Sequence, residues 1–415
     1  MPPPPLNREA LFPDVSHETH PYRWVVLAGV WLAYTCFGMT VASIAPLVGP
    51  ITRDLAISHS ALGTILGAWP LVYIAAAAGC GALTDRMGPR RTLVLALLII
   101  AASGALRGFS EGYLGMFLGV AVFGLGGPLV SIGAPKVVSL WFTGKERGLA
   151  MGIYTTGSSL GLVIALSATN SVFMPLMGDN WRYVMFLYAG IALAAALVWF
   201  AIGRHATVHA MERRLAAEPK TPQMEMFAGL IRLPEVRLIL LMSTGTFFFN
   251  HALNNWLPEI LRSGGMDAKS AGFWAAVPTA VGIAAALLIP RLAVPRYRHS
   301  ILAGLFLSAA AATLLLHVES GPLLALGLVC QGIARGAMTS VTMLCLLEAR
   351  NVNSRFAGSA GGLYFTVGEI GGVLGSVTLG AMYDATGGFA AGLFMLTAVC
   401  LMQLYLLQRL RILPA

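Results

Sequence analysis

Twelve stretches of apolar residues, each long enough to cross a lipid bilayer, take up most of this 415-residue sequence. They fall near 24–48, 61–83, 92–109, 113–140, 148–174, 183–203, 236–261, 270–290, 300–317, 322–347, 356–383 and 388–408. A span needs roughly 20 predominantly apolar residues, and a chain patterned this way cannot keep a water-facing surface. Only 11% of the residues are charged, against about 25% in soluble domains. A cytosolic enzyme, a nucleic-acid binder and a secreted disulfide protein are thereby excluded. The expected fold class is an all-α membrane protein of twelve transmembrane helices. Cys36, Cys80, Cys330, Cys345 and Cys400 all lie within apolar stretches, without pairing or metal-ligand spacing, and are expected to be reduced, buried thiols.

The spans divide six and six around a polar segment, which predicts a tail at 1–22, one six-helix bundle at 23–203, a linker at 204–235, a second bundle at 236–408 and a tail at 409–415. The linker carries Arg204, Arg213, Arg214, Lys220 and Arg232, and Ala206–Ala217 could form a surface helix. The first tail is polar and Pro-rich, unlike a cleavable signal peptide. The net charge of +9 follows from topology rather than from a polyanion partner. With the N-terminus inside, Arg86, Arg90, Arg91, Lys145, Arg147, Arg291, Arg296, Arg298, Arg350, Arg355, Arg409 and Arg411 join the linker on the inner side. The outer loops keep only Arg53, Arg107, Arg182, Arg262 and Lys269. The positive-inside rule then predicts that both termini are cytoplasmic, in a multi-pass protein of the cell (inner or plasma) membrane. The halves also repeat weakly: Tyr154-Thr-Thr-Gly-Ser-Ser-Leu-Gly161 in span five matches Phe365-Thr-Val-Gly-Glu-Ile-Gly-Gly372 in span eleven. Repeated halves are the usual build of secondary transporters, with the solute site between them near the midplane.

Between spans two and three stands Gly81-Ala-Leu-Thr-Asp85-Arg86-Met-Gly88-Pro-Arg90-Arg91. Gly81 would let helices approach closely, Asp85 could accept bonds from a facing helix N-terminus, and the arginines would hold the loop inside. This loop resembles the signature of the major facilitator superfamily. Trp141-Phe-Thr-Gly-Lys-Glu-Arg147-Gly and Gly178-Asp-Asn-Trp181-Arg182 also resemble family features. The resemblance implies two six-helix pseudo-symmetric bundles, the major facilitator fold, in which spans one, four, seven and ten line a cavity flanked by eleven. It also implies a gating role for Gly81, Asp85, Arg86, Gly88, Arg90 and Arg91. The second-half counterpart, Pro290-Arg291-Leu-Ala-Val-Pro-Arg296-Tyr-Arg298, lacks the Gly and the Asp. Gly157-Ser-Ser-Leu-Gly161 stands where drug exporters carry a Gly-Pro element, which disfavours drug/proton antiport. Within the superfamily the chain is most similar to the cyanate-permease-like porters of small polar solutes.

Arg335 in span ten and Glu369 in span eleven lie near the middle of their spans. An Arg at the bilayer centre costs about 2.5–3.5 kcal/mol on the lenient insertion scale, so each needs a wet cavity or a partner. Gln331, Arg335, Thr339 and Thr342 form one polar stripe at helical spacing. Gly362, Phe365, Glu369 and Ser376 share a face of span eleven, and Ser243, Thr246, Asn250 and Asn254 share one of span seven, beside Thr244, His251 and Asn255. Three readings are open. The pair could be a structural ion pair. Arg335 could bind an anion through its planar fork while Glu369 takes a proton. Or Glu369 could face a cationic amine caged by Trp31, Tyr34 and Trp256. The candidate substrate residues are Arg335, Gln331, Tyr34, Trp31, Asn250, Asn254, Thr339 and Phe365; Glu369 and His251 are the candidate proton sites. Lys136 is expected to snorkel to the interface. Gly124-Leu-Gly126-Gly127 reads as helix packing. There is no P-loop, nucleophile triad or metal set, so no enzyme, cofactor or metal is expected. The sequence points to a monomeric secondary transporter of a small polar solute, organic or inorganic anion, by proton-coupled alternating access. Its expected partners are the solute, protons and membrane lipid, with no nucleic acid. Transport of a cationic or amphipathic compound, or a receptor that moves nothing, are the alternatives.

Overall fold

The computed structural model describes residues 20–205, 207–208, 231–347, 349 and 357–412. Most of the predicted linker with its surface helix, both extreme tails, Arg213, Arg214, Lys220, Arg350, Arg355 and the side chain of Lys145 lie outside the described residues. Twelve helices are long and apolar enough to cross a membrane: α1 (Tyr22–Asp54), α2 (His59–Met87), α3 (Pro89–Gly108), α4 (Tyr113–Trp141), α5 (Glu146–Leu176), α6 (Trp181–Gly203), α7 (Pro234–Ser263), α8 (Ala268–Leu292), α9 (Arg298–Leu315), α10 (Pro322–Leu347), α11 (Ala360–Thr386) and α12 (Ala390–Ile412). One end of the bundle carries Arg86, Arg90, Arg91, Arg147, Arg291 and Arg409; we call it the basic end and its opposite the far end.

The two bundles use the same packing plan. In the first, α1 lies on α5, α2 on α4, and α3 on α4 and α6; in the second, α7 lies on α11, α8 on α10, and α9 on α10 and α12. Paired glycines explain the first of these contacts in each bundle, although those in α11 lie three residues beyond the positions that the sequence repeat aligns. Gly157 and Gly161 of α5 press against the Trp31 and Thr35 carbonyls of α1, and Gly371 and Gly375 of α11 press against the Thr244 and Phe248 carbonyls of α7. Without a hydrophobic drive between helices in lipid, small residues that let backbones touch supply the packing. Gly124 of α4 meets the Trp69 carbonyl of α2 in the same way. Gly81 does not behave as expected: a Cβ there would reach only Ile132 at 3.9 Å, an ordinary contact.

Caps and breaks fix the far end. Ser58, Asn180 and Asp267 each accept a bond from a free amide at the start of α2, α6 and α8. Helix α1 breaks at Ser43, and a short 3₁₀ segment with Pro46 carries it into Val48–Asp54. Arg107, expected in an outer loop, instead lies inside α3 and is 2% exposed. It donates from Nη1 to the Thr40 carbonyl at 3.1 Å and to Ser43 Oγ at 2.9 Å, so it satisfies the groups that the α1 break releases. The Gly178–Arg182 turn is a clamp: Arg182 pairs with Asp54 and donates to the Ser110 carbonyl, and Trp181 Nε1 also donates to Asp54.

The bundles meet along α2 with α11 and α5 with α8. Toward the far end this seam is tight: Gly63 and Gly67 of α2 abut Ser376, Val377 and Val373 of α11, and Gly272 of α8 abuts the Leu166 carbonyl of α5. Asn170, in the π-helical turn Thr169–Phe173, donates to the Pro46 carbonyl at 2.9 Å and across the seam to that of Ala268 at 3.2 Å. Toward the basic end, by contrast, a Cβ on Gly79 of α2 or Gly362 of α11 would meet no atom. Overpacking a tight site costs about 1–3 kcal/mol. Gly371→Ala is therefore expected to lower the thermal unfolding midpoint of purified protein by several degrees. Gly362→Ala, measured alongside, should leave it unchanged.

Candidate functional site

Arg335 stands halfway along α10, and its head group is fixed by two neutral side chains. Nη1 donates to Thr279 Oγ1 of α8 at 2.5 Å, and Nη2 donates to Asn254 Oδ1 of α7 at 3.1 Å. Among the described residues no carboxylate comes within ion-pair distance of it. A guanidinium offers five N–H donors in a rigid fork, so this one keeps donors to spare and a fixed orientation.

Glu369 lies on the neighbouring α11 but pairs elsewhere. Its Oε2 is 3.5 Å from His251 Nε2 and has no hydrogen-bond partner among the described residues, while the residue is 5% exposed. Gly372, one turn on, leaves the room for this pair, since a Cβ there would press on both Glu369 Oε2 and the His251 ring. Trp69 of α2 stacks on His251 at 5.2 Å, and Phe247 stacks on it at 5.9 Å. The proton-site candidates thus sit under an aromatic ring from the opposite bundle. Of the three readings the sequence left open, the direct Arg335–Glu369 ion pair is not the arrangement found. The short contact belongs to His251, because α7, which carries both Asn254 and His251, gives each charged residue its own partner.

The remaining candidates separate into two groups. Asn250 and Gln331 keep acceptors, Oδ1 and Oε1, that are buried without a partner among the described residues, each one helical turn from the Asn254–Arg335 bond. Thr339 is half-buried and its carbonyl accepts from Tyr364. Phe365 is 41% exposed and edge-on to Phe247. Trp31 and Tyr34 face α5: Trp31 Nε1 donates to Thr156 Oγ1 at 3.1 Å, and Tyr34 packs edge-on to Tyr154 at 4.9 Å. Trp256 cannot join them in an amine cage, since it is fully buried near the far end, donating to the Ser376 carbonyl and packing on His59 and Phe389. The rest of the expected span-seven stripe also turns away. Thr246 accepts from Gln403 of α12, and Asn255 donates to Ser376. Helical spacing alone could not separate these, because the stripe is wider than the face that α11 and α12 leave open. Thr279, Trp69 and Gln403 were not singled out in the sequence; a lone Thr or Trp in an apolar span carries no signal of its own.

At the basic end, Asp85 is bonded to Lys136 of α4 at 2.6 Å, within its own bundle. Lys136 therefore does not simply snorkel, and the expected bond from Asp85 to a facing helix N-terminus is replaced by this ion pair. Gly88 turns the chain at φ 79°, which favours glycine. Arg90 Nη1 donates to the Gly203 carbonyl, while Arg86 and Arg91 are exposed. A cavity of about 220 Å³ opens at the far end, lined by Pro46, Arg53, Glu259, Arg262 and Asp267 among others, well away from Arg335. There the Ser270 hydroxyl and amide, with the Lys269 amide, hold the Asp267 carboxyl below its ordinary range.

Comparison with known proteins agrees with this architecture. The chain is 27% identical over 387 residues to the uncharacterized transporter YycB of Bacillus subtilis (strain 168), covering 90% of each chain. It is 23% identical over 425 residues to the probable galactarate/D-glucarate transporter GudP of Escherichia coli (strain K12), covering 92% of this chain and 91% of the relative. The crystal structure of a bacterial homolog to the human lysosomal transporter Spinster, inward-facing and unoccupied, superposes with a TM-score of 0.75 at 18% identity over 94% of this chain and 96% of that one, a likeness of fold. The sequence profile of the Major Facilitator Superfamily matches residues 30–376, and the chain belongs to that family.

Proposed function

We propose that the protein is a secondary active transporter that moves a small organic anion across the cell inner membrane by alternating access, coupled to protons. The observation that carries this reading is Arg335, a guanidinium held in fixed orientation by Thr279 and Asn254 with no carboxylate upon it among the described residues. A charge costly to bury is tolerated where it faces a cavity or meets a ligand charge, and a pre-oriented fork suits a carboxylate. The likeness to GudP, a probable galactarate/D-glucarate transporter, favours the same cargo chemistry. Within the family this is the behaviour of the porters of small polar solutes, in keeping with the cyanate-permease-like resemblance. Asn250 and Gln331, with unpartnered acceptors on either side of Arg335, suit cargo hydroxyl groups.

Glu369 and His251 form the proton site in this proposal. An enclosed carboxyl beside an imidazole holds one proton between two acceptor groups, and an anion arriving on Arg335 changes the field at both. The positive-inside rule puts the basic end in the cytoplasm, with both termini there. The tight far-end seam, with free space at Gly79 and Gly362 toward the basic end, favours a carrier closed to the outside and open inward. When the bundles rock, Trp69 leaves His251, which exposes the proton site as the access changes sides. Asp85, Arg86, Arg90 and Arg91 gate the inner side, with Asp85 exchanging Lys136 for the other bundle as it closes.

A hydrogen bond to a charged group is worth about 1.5–3 kcal/mol, so Arg335→Ala should weaken anion uptake into proteoliposomes by about ten- to a hundredfold. Uptake at unchanged apparent affinity would remove Arg335 from the cargo site. Glu369→Gln is expected to abolish accumulation driven by a pH gradient while leaving anion exchange intact. Accumulation that survives the change would transfer proton coupling away from Glu369. Asp85→Asn should shift the conformer balance, read as altered thiol accessibility of cysteines placed on the two faces.

A further inference from the structure

The far-end seam is fastened by charged groups of the second bundle acting on the first turn of α2. Asp384, at the end of α11, accepts from the backbone amides of His59 at 3.2 Å and Ser60 at 2.7 Å. A carboxylate on a helix N-terminus is favoured by the free amides and the helix dipole. This is the kind of acid-to-helix latch that the signature loop was expected to make at the basic end.

The side chain of His59 lies between two carboxylates of the opposite bundle. Its Nδ1 is 3.6 Å from Asp384 Oδ1, and its Nε2 is 3.9 Å from Glu259 Oε1. Nε2 is buried without a hydrogen-bond partner among the described residues. From α7, Arg262 holds both Glu259 oxygens and Trp256 stacks on the imidazole; from α11, Tyr383 lies over it at 3.9 Å, and Phe389 closes the edge. With a neutral imidazole the cluster of Asp384, Glu259 and Arg262 carries one excess negative charge. A neutral ring donates from one nitrogen only, whereas a charged ring donates from both. One proton therefore both cancels that excess and supplies the missing second donor.

We infer that His59 is a proton-binding site in the seam, separate from Glu369 and His251, and that its protonation locks the far end shut. The inference rests on the alternating-access reading above. Both carboxylates belong to the other bundle, so the charged ring gains them only while the seam is closed. By linkage, whatever favours the charged ring favours closure to the same extent. Acid holds the carrier shut at the far face, and the lock is released as the pH rises and the ring loses its proton.

The test uses spin labels on cysteines introduced at the exposed far-end positions Leu176 and Glu319, one on each bundle, in an otherwise cysteine-free full-length chain. Distances are measured in micelles at about pH 5.5 and about pH 8, which bracket histidine titration. The closed-to-open ratio should rise by at least about fivefold at the acid pH, within the usual range of coupling between sites. His59→Gln should abolish the response, and His59→Lys should keep the seam closed at both pH values. Glu369→Gln and His251→Gln should retain the response, which separates this site from the central one. Two far-end distance populations that ignore pH, or a response that persists in His59→Gln, would overturn the proposal while leaving alternating access standing. A single population under every condition would overturn alternating access and this proposal together.

Discussion

A full positive charge halfway along an apolar helix is the constraint to which the centre of this protein answers. Lipid offers Arg335 nothing, so three helices converge to satisfy it: α10 presents the guanidinium, α8 offers Thr279 and α7 offers Asn254. Neither partner is charged, and the interaction orients the head group without neutralising it. The same stretch of α7 supplies His251 to Glu369 one residue row away. One helix thus sets the distance between the proposed anion site and the proposed proton site. A slide or tilt of α7 would alter both together.

The two bundles share a packing plan but not a chemistry. Glycines spaced four apart bring α1 onto α5 and α7 onto α11, although the contacting pair in α11 is displaced by three residues from the repeat. Glu369, by contrast, stands where the repeat places Ser158, and the Arg335 stripe has no charged equivalent in α4. The scaffold is duplicated while the reactive groups are concentrated in the second bundle. The first bundle contributes aromatic cover, through Trp69 on His251. In the proposed cycle such an arrangement would let a rigid-body rotation act on the site without rebuilding it, since the charged residues stay with one bundle and their cover with the other.

The ends of the seam differ in the same spirit. At the far end, Asp384 crosses to the α2 amides and Asn170 crosses to the Ala268 carbonyl. At the basic end, Asp85 satisfies itself within its own bundle through Lys136. A carboxylate bonds to whichever cation or amide array is near, and in this conformation the near group for Asp85 is on its own side. The signature-loop acid at the proposed gate therefore does not disclose in the sequence which partner it holds.

The twelve spans, the six-plus-six division and the glycine repeat could be read directly from the residues, because crossing lipid fixes length, polarity and backbone bonding locally. Arg335, Glu369, His251 and Asn254 were legible for the same reason: a polar group in an apolar span stands out by its cost. Their pairing was not legible. Helical periodicity gives a face about a third of a turn wide, and whether Thr246 looks at the cavity or at Gln403 depends on where α12 docks. The partners that matter most, Thr279 for Arg335, Trp69 for His251 and Asp384 for the start of α2, come from helices distant in sequence. Only the way the helices rotate and stack about one another brings them within bonding reach, and short-range spacing carries no record of that rotation.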